Sequence, residues 1–277
     1  MGTLKGYTLP LSPTGRSSLV QPPPWHFSGD VLYIEYLADP DAVRAFMPPG
    51  LSADGHDGSA AAIFGDWQSC TDEQEELTDP VRSQYREFYL ALACEWQGQP
   101  VVRCPFCWVD RDFSLVRGLI QGYPKKMGSI ALTRAFPIGR ATPRVEQGGR
   151  FAASLASYDR RLVDAQVTLT GPAAVPALML APLVHTRFFP QWDAGGAPLQ
   201  ELVMGGSRDQ SVGDVWAGTA ELSFHLSPVE ELSLLAPVKV LRGYRFSFAE
   251  TITGGSVLAV GSPKGDGPAD GHADGAG

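Results

Sequence analysis

The sequence predicts an α+β fold: a mostly antiparallel β-sheet curled into a barrel or cone around a buried cavity, with few short helices. Three observations predict it. Segments rich in β-branched and aromatic residues recur along the chain, bounded by Gly, Pro and Asp. Apolar residues at helical spacing are scarce, which favours a closed or curled sheet over a bundle. No natural break occurs near the middle, so residues 25–260 are expected to form a single domain.

The elements follow in order. Residues 1–24 are rich in Pro, Ser and Gly, end in Pro22-Pro23-Pro24 and read as an extended arm. Residues 31–36 are β-rich. Residues 39–46 form a short helix, with Asp39 as N-cap and Pro40 at the first helical position; Pro48-Pro49-Gly50 stops it. Residues 60–67 and 87–96 read as strands, and 101–108 alternate loosely. Residues 112–120 fit either a helix or a strand. Residues 150–158 and 163–170 form a hairpin around Asp159-Arg160-Arg161. Further strands are expected at 184–189, 201–204, 214–226 and 244–251. Gly205-Gly206 and Gly254-Gly255 read as turns. Residues 261–277 hold almost no apolar side chains and are expected to be disordered.

Composition narrows the function. At 277 residues, the folded chain should bury roughly 75% of the surface that the unfolded chain exposes, enough for a deep, dry cavity. The net charge of −8 argues against nucleic acid as a partner and against a polybasic membrane anchor. An acidic substrate would need local cations to hold it. The longest apolar stretch, 173–184, contains Pro176 and Pro182; a membrane span needs about 20 apolar residues. No secretory signal is visible, and Cys70, Cys94, Cys104 and Cys107 make no disulfide framework, so the cytoplasm is the expected compartment. The spacing of Cys104 and Cys107 fits a redox pair, but no thioredoxin-type unit surrounds it, and packing is the simpler reading. The five histidines have no ligand spacing and no Gly-rich phosphate loop occurs, so neither a metal nor a cofactor is expected.

The most informative stretch is Gln121-Gly122-Tyr123-Pro124-Lys125-Lys126-Met127-Gly128. A lysine amine attacks a carbonyl only when neutral, and its ordinary pKa is roughly 10.4. Burial in an apolar cavity lowers that value, as does a second cation nearby. Taken alone, the lysine pair reads more readily as an exposed basic turn.

The segment resembles the active-site stretch of the acetoacetate decarboxylase family, where an aromatic residue, a proline and two lysines occur in series. The resemblance extends over nearly the whole globular chain. Tyr33-Ile34-Glu35-Tyr36, Asp39-Pro40-Asp41-Ala42-Val43 and Pro48-Pro49-Gly50-Leu51 look like the family's opening strand, helix and turn. Asp214-Val215-Trp216-Ala217-Gly218 and Leu235-Ala236-Pro237-Val238-Lys239 look like later blocks in family order. The resemblance implies that Lys125 forms a Schiff base with Lys126 as its neighbour, and that Glu87 is the pocket carboxylate. It also implies a homo-oligomer and a small oxo acid as substrate. The nearest activity it implies is decarboxylation of an acetoacetate-type β-keto acid by a Schiff-base lyase. Two alternatives stand beside it: a pyruvate aldolase–dehydratase of secondary metabolism, and a non-catalytic binder of carbonyl ligands on the same scaffold.

An extended backbone would send Lys125 and Lys126 to opposite faces. Lys126 is then expected outside the cavity, paired to an acid, with desolvation rather than repulsion acting on Lys125. The sequence also departs from the family pattern. The decarboxylases carry an arginine where Ser28-Gly29-Asp30 stands here, and a second glutamate where Phe64-Gly65-Asp66 stands. Arg117 and Gln121 are candidates to replace that clamp, since their spacing of four puts them on one face of a helix and, being even, of a strand. An arginine can grip a carboxylate with two parallel hydrogen bonds, and an amide can hold a carbonyl or hydroxyl. Tyr123 would line the site. Tyr244, Phe246, Phe248 and Glu250 alternate along one strand face, so Glu250 either lines a dry pocket as a second carboxylate with a raised pKa or ends the strand in solvent.

Overall fold

A computed structural model describes residues 3–260. The expected tail, 261–277, lies outside the described residues. Twelve strands form one sheet: β1 (Trp25–Leu37), β2 (Ser59–Cys70), β3 (Gln84–Trp96), β4 (Gln99–Arg103), β5 (Cys107–Val109), β6 (Lys125–Met127), β7 (Ser129–Leu132), β8 (Arg150–Ser157), β9 (Arg160–Pro172), β10 (Leu183–Phe189), β11 (Leu199–Phe224) and β12 (Lys239–Val260). Among the described residues, three short α-helices accompany them: α1 (Pro40–Ala45), α2 (Asp112–Gln121) and α3 (Ala177–Leu180). The expected α+β class, mostly antiparallel with few helices, is what the chain adopts.

The sheet order is β10-β4-β3-β2-β1-β12-β11-β9-β8-β7, and β10 also pairs with β11. Seven strands therefore close into a ring, and β9, β8 and β7 extend beyond it. The small strands β5 and β6 branch off β3. The two faces bury two separate apolar clusters. One includes Leu32, Phe64, Leu90, Trp108 and Leu155. The other includes Phe27, Tyr33, Tyr85, Tyr89, Phe246 and Phe248. Alternation along each strand sorts them: Phe246 and Phe248 face one way, and their neighbours face the other.

Local sequence explains most elements. Asp39 caps α1 by accepting from the backbone N–H groups of Asp41 and Ala42, with Pro40 behind it as expected. The β8–β9 hairpin turns on Tyr158 and Asp159, both in the left-handed region at φ 50° and 58°, the conformation of a two-residue turn that matches strand twist.

Three expectations are corrected. Residues 101–108 split into β4 and β5, because Pro105 in Cys104-Pro105-Phe106 cannot donate to a ladder. Gly205-Gly206 and Gly254-Gly255 are not turns: Gly205 pairs with Gly255 inside the β11–β12 ladder, where the register shifts. A Cβ on Gly206 would lie 2.6 Å from the Gly254 carbonyl oxygen, so the glycines allow two backbones to approach closely. The arm before β1 is not extended. It doubles back, with the Leu19 N–H donating to the Leu9 carbonyl and Ser18 Oγ to the Val20 carbonyl, and Val20 is buried.

Candidate active site

A cavity of about 240 Å³ opens inside the ring, lined from β1, β2, β3, β10, β11 and β12 by residues that include Phe27, Trp67, Glu87, Leu183, Ser207 and Glu250. Helix α2 and the segment after it close one side. Gly122 ends α2 at φ 90°, and a Cβ there would lie 3.0 Å from His185 Cβ and Val203 Cγ2, so glycine is required both for the left-handed turn and for space. Tyr123 and Pro124 follow, and β6 then pairs in parallel with β5, placing Lys125 beside Cys107.

Lys125 is buried. Its Nζ lies 2.7 Å from Glu87 Oε1 and donates to Ser114 Oγ at 3.1 Å. It sits over the rings of Tyr123 and Tyr85 at 5.3 and 5.5 Å. Its aliphatic stem crosses α2 at Gly118, where a Cβ would lie 2.5 Å from Lys125 Cε. Cys107 Sγ donates to Glu87 Oε1 at 3.4 Å, and burial holds the Cys107 thiol well above its ordinary range, so it stays protonated.

Lys126 is not brought to the cavity. The extended backbone of β6 turns it to the opposite face, where it pairs with the buried Glu230 and lies 5.1 Å from the Trp108 ring centre. The expectation of an outward Lys126 paired to an acid describes the observed geometry.

Residues 112–121, which fitted helix or strand alike, are helical, and Arg117 and Gln121 both face the cavity. Arg117 is buried. Its Nη1 donates to Ser69 Oγ at 3.1 Å, and its guanidinium lies 4.6 Å from the Phe27 ring centre and within 5.8 Å of those of Trp25, Tyr85 and Phe113. Its Nη2 has no hydrogen-bond partner, and among the described residues no carboxylate pairs with it. Burial lowers its pKa, yet a guanidinium keeps its charge in proteins. The cavity therefore holds a buried cation that no carboxylate pairs with directly, and its Nη2 has no partner.

Glu250 lines the cavity on the strand face shared with Phe248 and accepts from Ser207 Oγ, which also accepts from Gln210 Nε2. Desolvation raises its pKa above the ordinary carboxylate range, against the hydrogen bond from Ser207. Asp66, the alternative carboxylate, faces away and pairs with Arg134 at 2.8 Å. In the Ser28-Gly29-Asp30 stretch of β1, the space that a side chain on Gly29 would take is filled by an indole. Trp67 lies over Gly65 and Gly29, and a Cβ on Gly29 would come within 2.5 Å of Trp67 Cε3.

Trp67, Phe27, Ser69, Ser114, Ser207 and Gln210 were not singled out from the sequence. Trp67 is detectable only once Gly65 and Gly29 are known to lie beneath it, and Ser114 only once α2 is known to be a helix. Among the described residues, no group of three or more His, Cys, Asp and Glu side chains could hold a metal ion, and no helix is long and apolar enough to cross a membrane.

The family model for acetoacetate decarboxylase matches residues 8–260. No curated protein sequence matches the chain. Among solved structures, the enduracididine biosynthesis enzyme MppR is similar at 43% identity and TM-score 0.88 over 94% of this chain and 98% of that one, in a complex with the condensation product of pyruvate and imidazole 4-carboxaldehyde. A second MppR structure is complexed with pyruvate. An acetoacetate decarboxylase-like enzyme from Sphingomonas wittichii RW1 is similar at 30% identity and TM-score 0.86, covering 92% of this chain and all of that one, 100%. An acetoacetate decarboxylase from Legionella pneumophila shares the fold at 18% identity and TM-score 0.71, over 87% of this chain and 89% of that one. With its ring of strands, its buried lysine and a family match over residues 8–260, this chain belongs to the acetoacetate decarboxylase family.

Proposed function

We propose that this enzyme joins a pyruvate-type 2-oxo acid to an aldehyde and dehydrates the product, through an imine on Lys125. The observation that carries this reading is Arg117: a buried, unpaired guanidinium with a free Nη2 in the same cavity as the lysine amine. A 2-oxo acid offers a carboxylate to the arginine and an adjacent ketone to the lysine. Gln121, one turn along α2, can hold the carboxylate or carbonyl oxygen. The MppR complexes with pyruvate and with its condensation product support the same substrate class.

The chemistry follows from the residue types. Glu87 takes a proton from Lys125, and the freed amine adds to the ketone carbon. Water leaves, giving a protonated imine. Loss of a proton from the neighbouring methyl carbon gives an enamine, whose carbon attacks the aldehyde carbon. Glu250, which holds its proton to higher pH than an ordinary carboxyl, protonates the aldehyde oxygen; its carboxylate then takes the remaining acidic proton from the newly bonded carbon and passes it to the hydroxyl, which departs as water. Hydrolysis frees the lysine and an unsaturated 2-oxo acid. The net reaction consumes one 2-oxo acid and one aldehyde and releases one water.

Borohydride trapping tests this. Pyruvate and borohydride should add one reduced pyruvyl group at Lys125, located by peptide mass spectrometry. Pyruvate with imidazole 4-carboxaldehyde should give a conjugated product that absorbs in the near ultraviolet. An adduct with acetoacetate that releases carbon dioxide, with no conjugated product from pyruvate, would establish decarboxylation instead. No adduct with either acid would leave only the carbonyl-binding reading.

A further inference from the structure

Beside the main cavity lies a second one of about 170 Å³. Gln121, Tyr123, Met204 and Gly205 line both, so the two cavities share a wall. The annex is walled by Tyr7, Trp25, Tyr123 and Val203, with Ser256 at its exposed side. Its volume is close to that of engineered apolar cavities of about 150 Å³ that bind benzene, so it accepts one ring.

His185, on β10, lines the annex and is 1% exposed, and neither ring nitrogen has a hydrogen-bond partner. The imidazole packs on Tyr123 with ring centres 3.8 Å apart. A buried polar side chain without partners is costly, and its persistence points to a ligand that satisfies it. Desolvation, then the cations Arg103 and Lys125, push the His185 pKa well down, so the ring is neutral and offers one donor and one acceptor. The other charge in the annex is spent, since Arg187 donates to Glu201 at 2.7 Å.

We propose that the annex is the subsite for the tail of the aldehyde substrate, and that His185 selects a flat, uncharged ring carrying a hydrogen-bonding heteroatom. The inference rests on the aldol reading, because the tail reaches the annex past Gln121 and Tyr123 while its carbonyl stays near Lys125. His185 is a specificity residue and takes no part in imine formation.

The test separates the two claims. Calorimetry with 4-methylimidazole, which has no carbonyl and forms no imine, should show binding to the wild type that weakens at least about tenfold in His185→Phe. His185→Gln, which keeps a donor and an acceptor, should retain it within about threefold. In turnover with saturating pyruvate, His185→Phe should raise KM for imidazole 4-carboxaldehyde about tenfold, leave KM for benzaldehyde within about twofold, and leave borohydride trapping of pyruvate unchanged. Ser256→Trp, a substitution at the exposed side of the annex, should weaken 4-methylimidazole binding as well and decides the matter if His185→Phe does not fold. Equal binding by wild type and both variants, or equal KM shifts for the two aldehydes, overturns the subsite. Loss of pyruvate trapping in the wild type overturns the aldol reading and leaves the calorimetric result to stand or fall alone.

Discussion

Arg117 carries its charge into the ring without a carboxylate to meet it, and four aromatic rings stand in for the missing counter-charge. Such a group is poised for an anionic ligand, because a bound carboxylate recovers the hydration that burial removed. Arg117→Met should therefore raise the KM for pyruvate about 100-fold, or about 2.7 kcal/mol, within the range for losing one partner of a buried charged pair. Steady-state kinetics across pyruvate concentration would check this, and an unchanged KM would remove Arg117 from the clamp. Glu250 makes a different prediction, through pH. Desolvation gives it a higher pKa in the folded chain than in the unfolded one. Its contribution to stability is therefore present at low pH and is lost as pH rises through the folded value. Glutamine does not titrate and escapes that loss. Glu250→Gln should unfold at a higher temperature than the wild type at pH 8, and the gap should close as pH falls toward about 4. A gap that does not change with pH would mean that burial is not what perturbs Glu250.

At the scale of elements, α2 and β6 form one device that aims Lys125. The stem of the lysine crosses the helix at Gly118, and the helix contributes Ser114 as a hydrogen-bond partner of the lysine amine and Arg117 to the cavity. Alanine suits a helix interior better than glycine by about 0.5–1 kcal/mol. Gly118→Ala gains that preference, yet its methyl group would lie 2.2 Å from Lys125 Cδ and must push Lys125 aside, an overpacking cost of about 1–3 kcal/mol. Misplacement by about 1 Å costs on the order of 100-fold, so kcat/KM should fall by that order while the melting temperature falls only modestly. Full activity would show that the stem has another path. The sequence made much of this device legible. The Tyr123-Pro124-Lys125 run, the even spacing of Arg117 and Gln121, and the alternation that turns Glu250 toward Phe248 are all short-range signals. What was not legible depends on partners across strands. The Gly-Gly pairs looked like turns because each was read without the other; together they allow β11 and β12 to approach. Trp67 gave no signal because its seat is made by Gly65 on its own strand and Gly29 on the next.

The whole molecule divides its labour between the two faces of one sheet, and the lysine pair straddles the division. Ring closure puts Lys125, Glu87 and Arg117 on the inside, through the β10–β11 contact and a parallel β4–β10 contact between segments far apart in sequence. No local pattern announces such a closure. On the other face, Lys126 joins β6 to Glu230 beside the apolar cluster that contains Trp108. The pair is therefore a structural tie and not part of the cavity. Lys126→Met strands a buried carboxylate and should cost about 1–3 kcal/mol. Adding Glu230→Gln removes the orphaned charge and should recover most of it. The pH dependence of pyruvate trapping at Lys125 should be the same in Lys126→Met as in the wild type, because no charge has changed inside the ring. Chemical denaturation measures the first effect and borohydride trapping across pH the second. A shift of the trapping midpoint without loss of stability would mean that Lys126 acts across the sheet on its neighbour, and that the two faces are not separate.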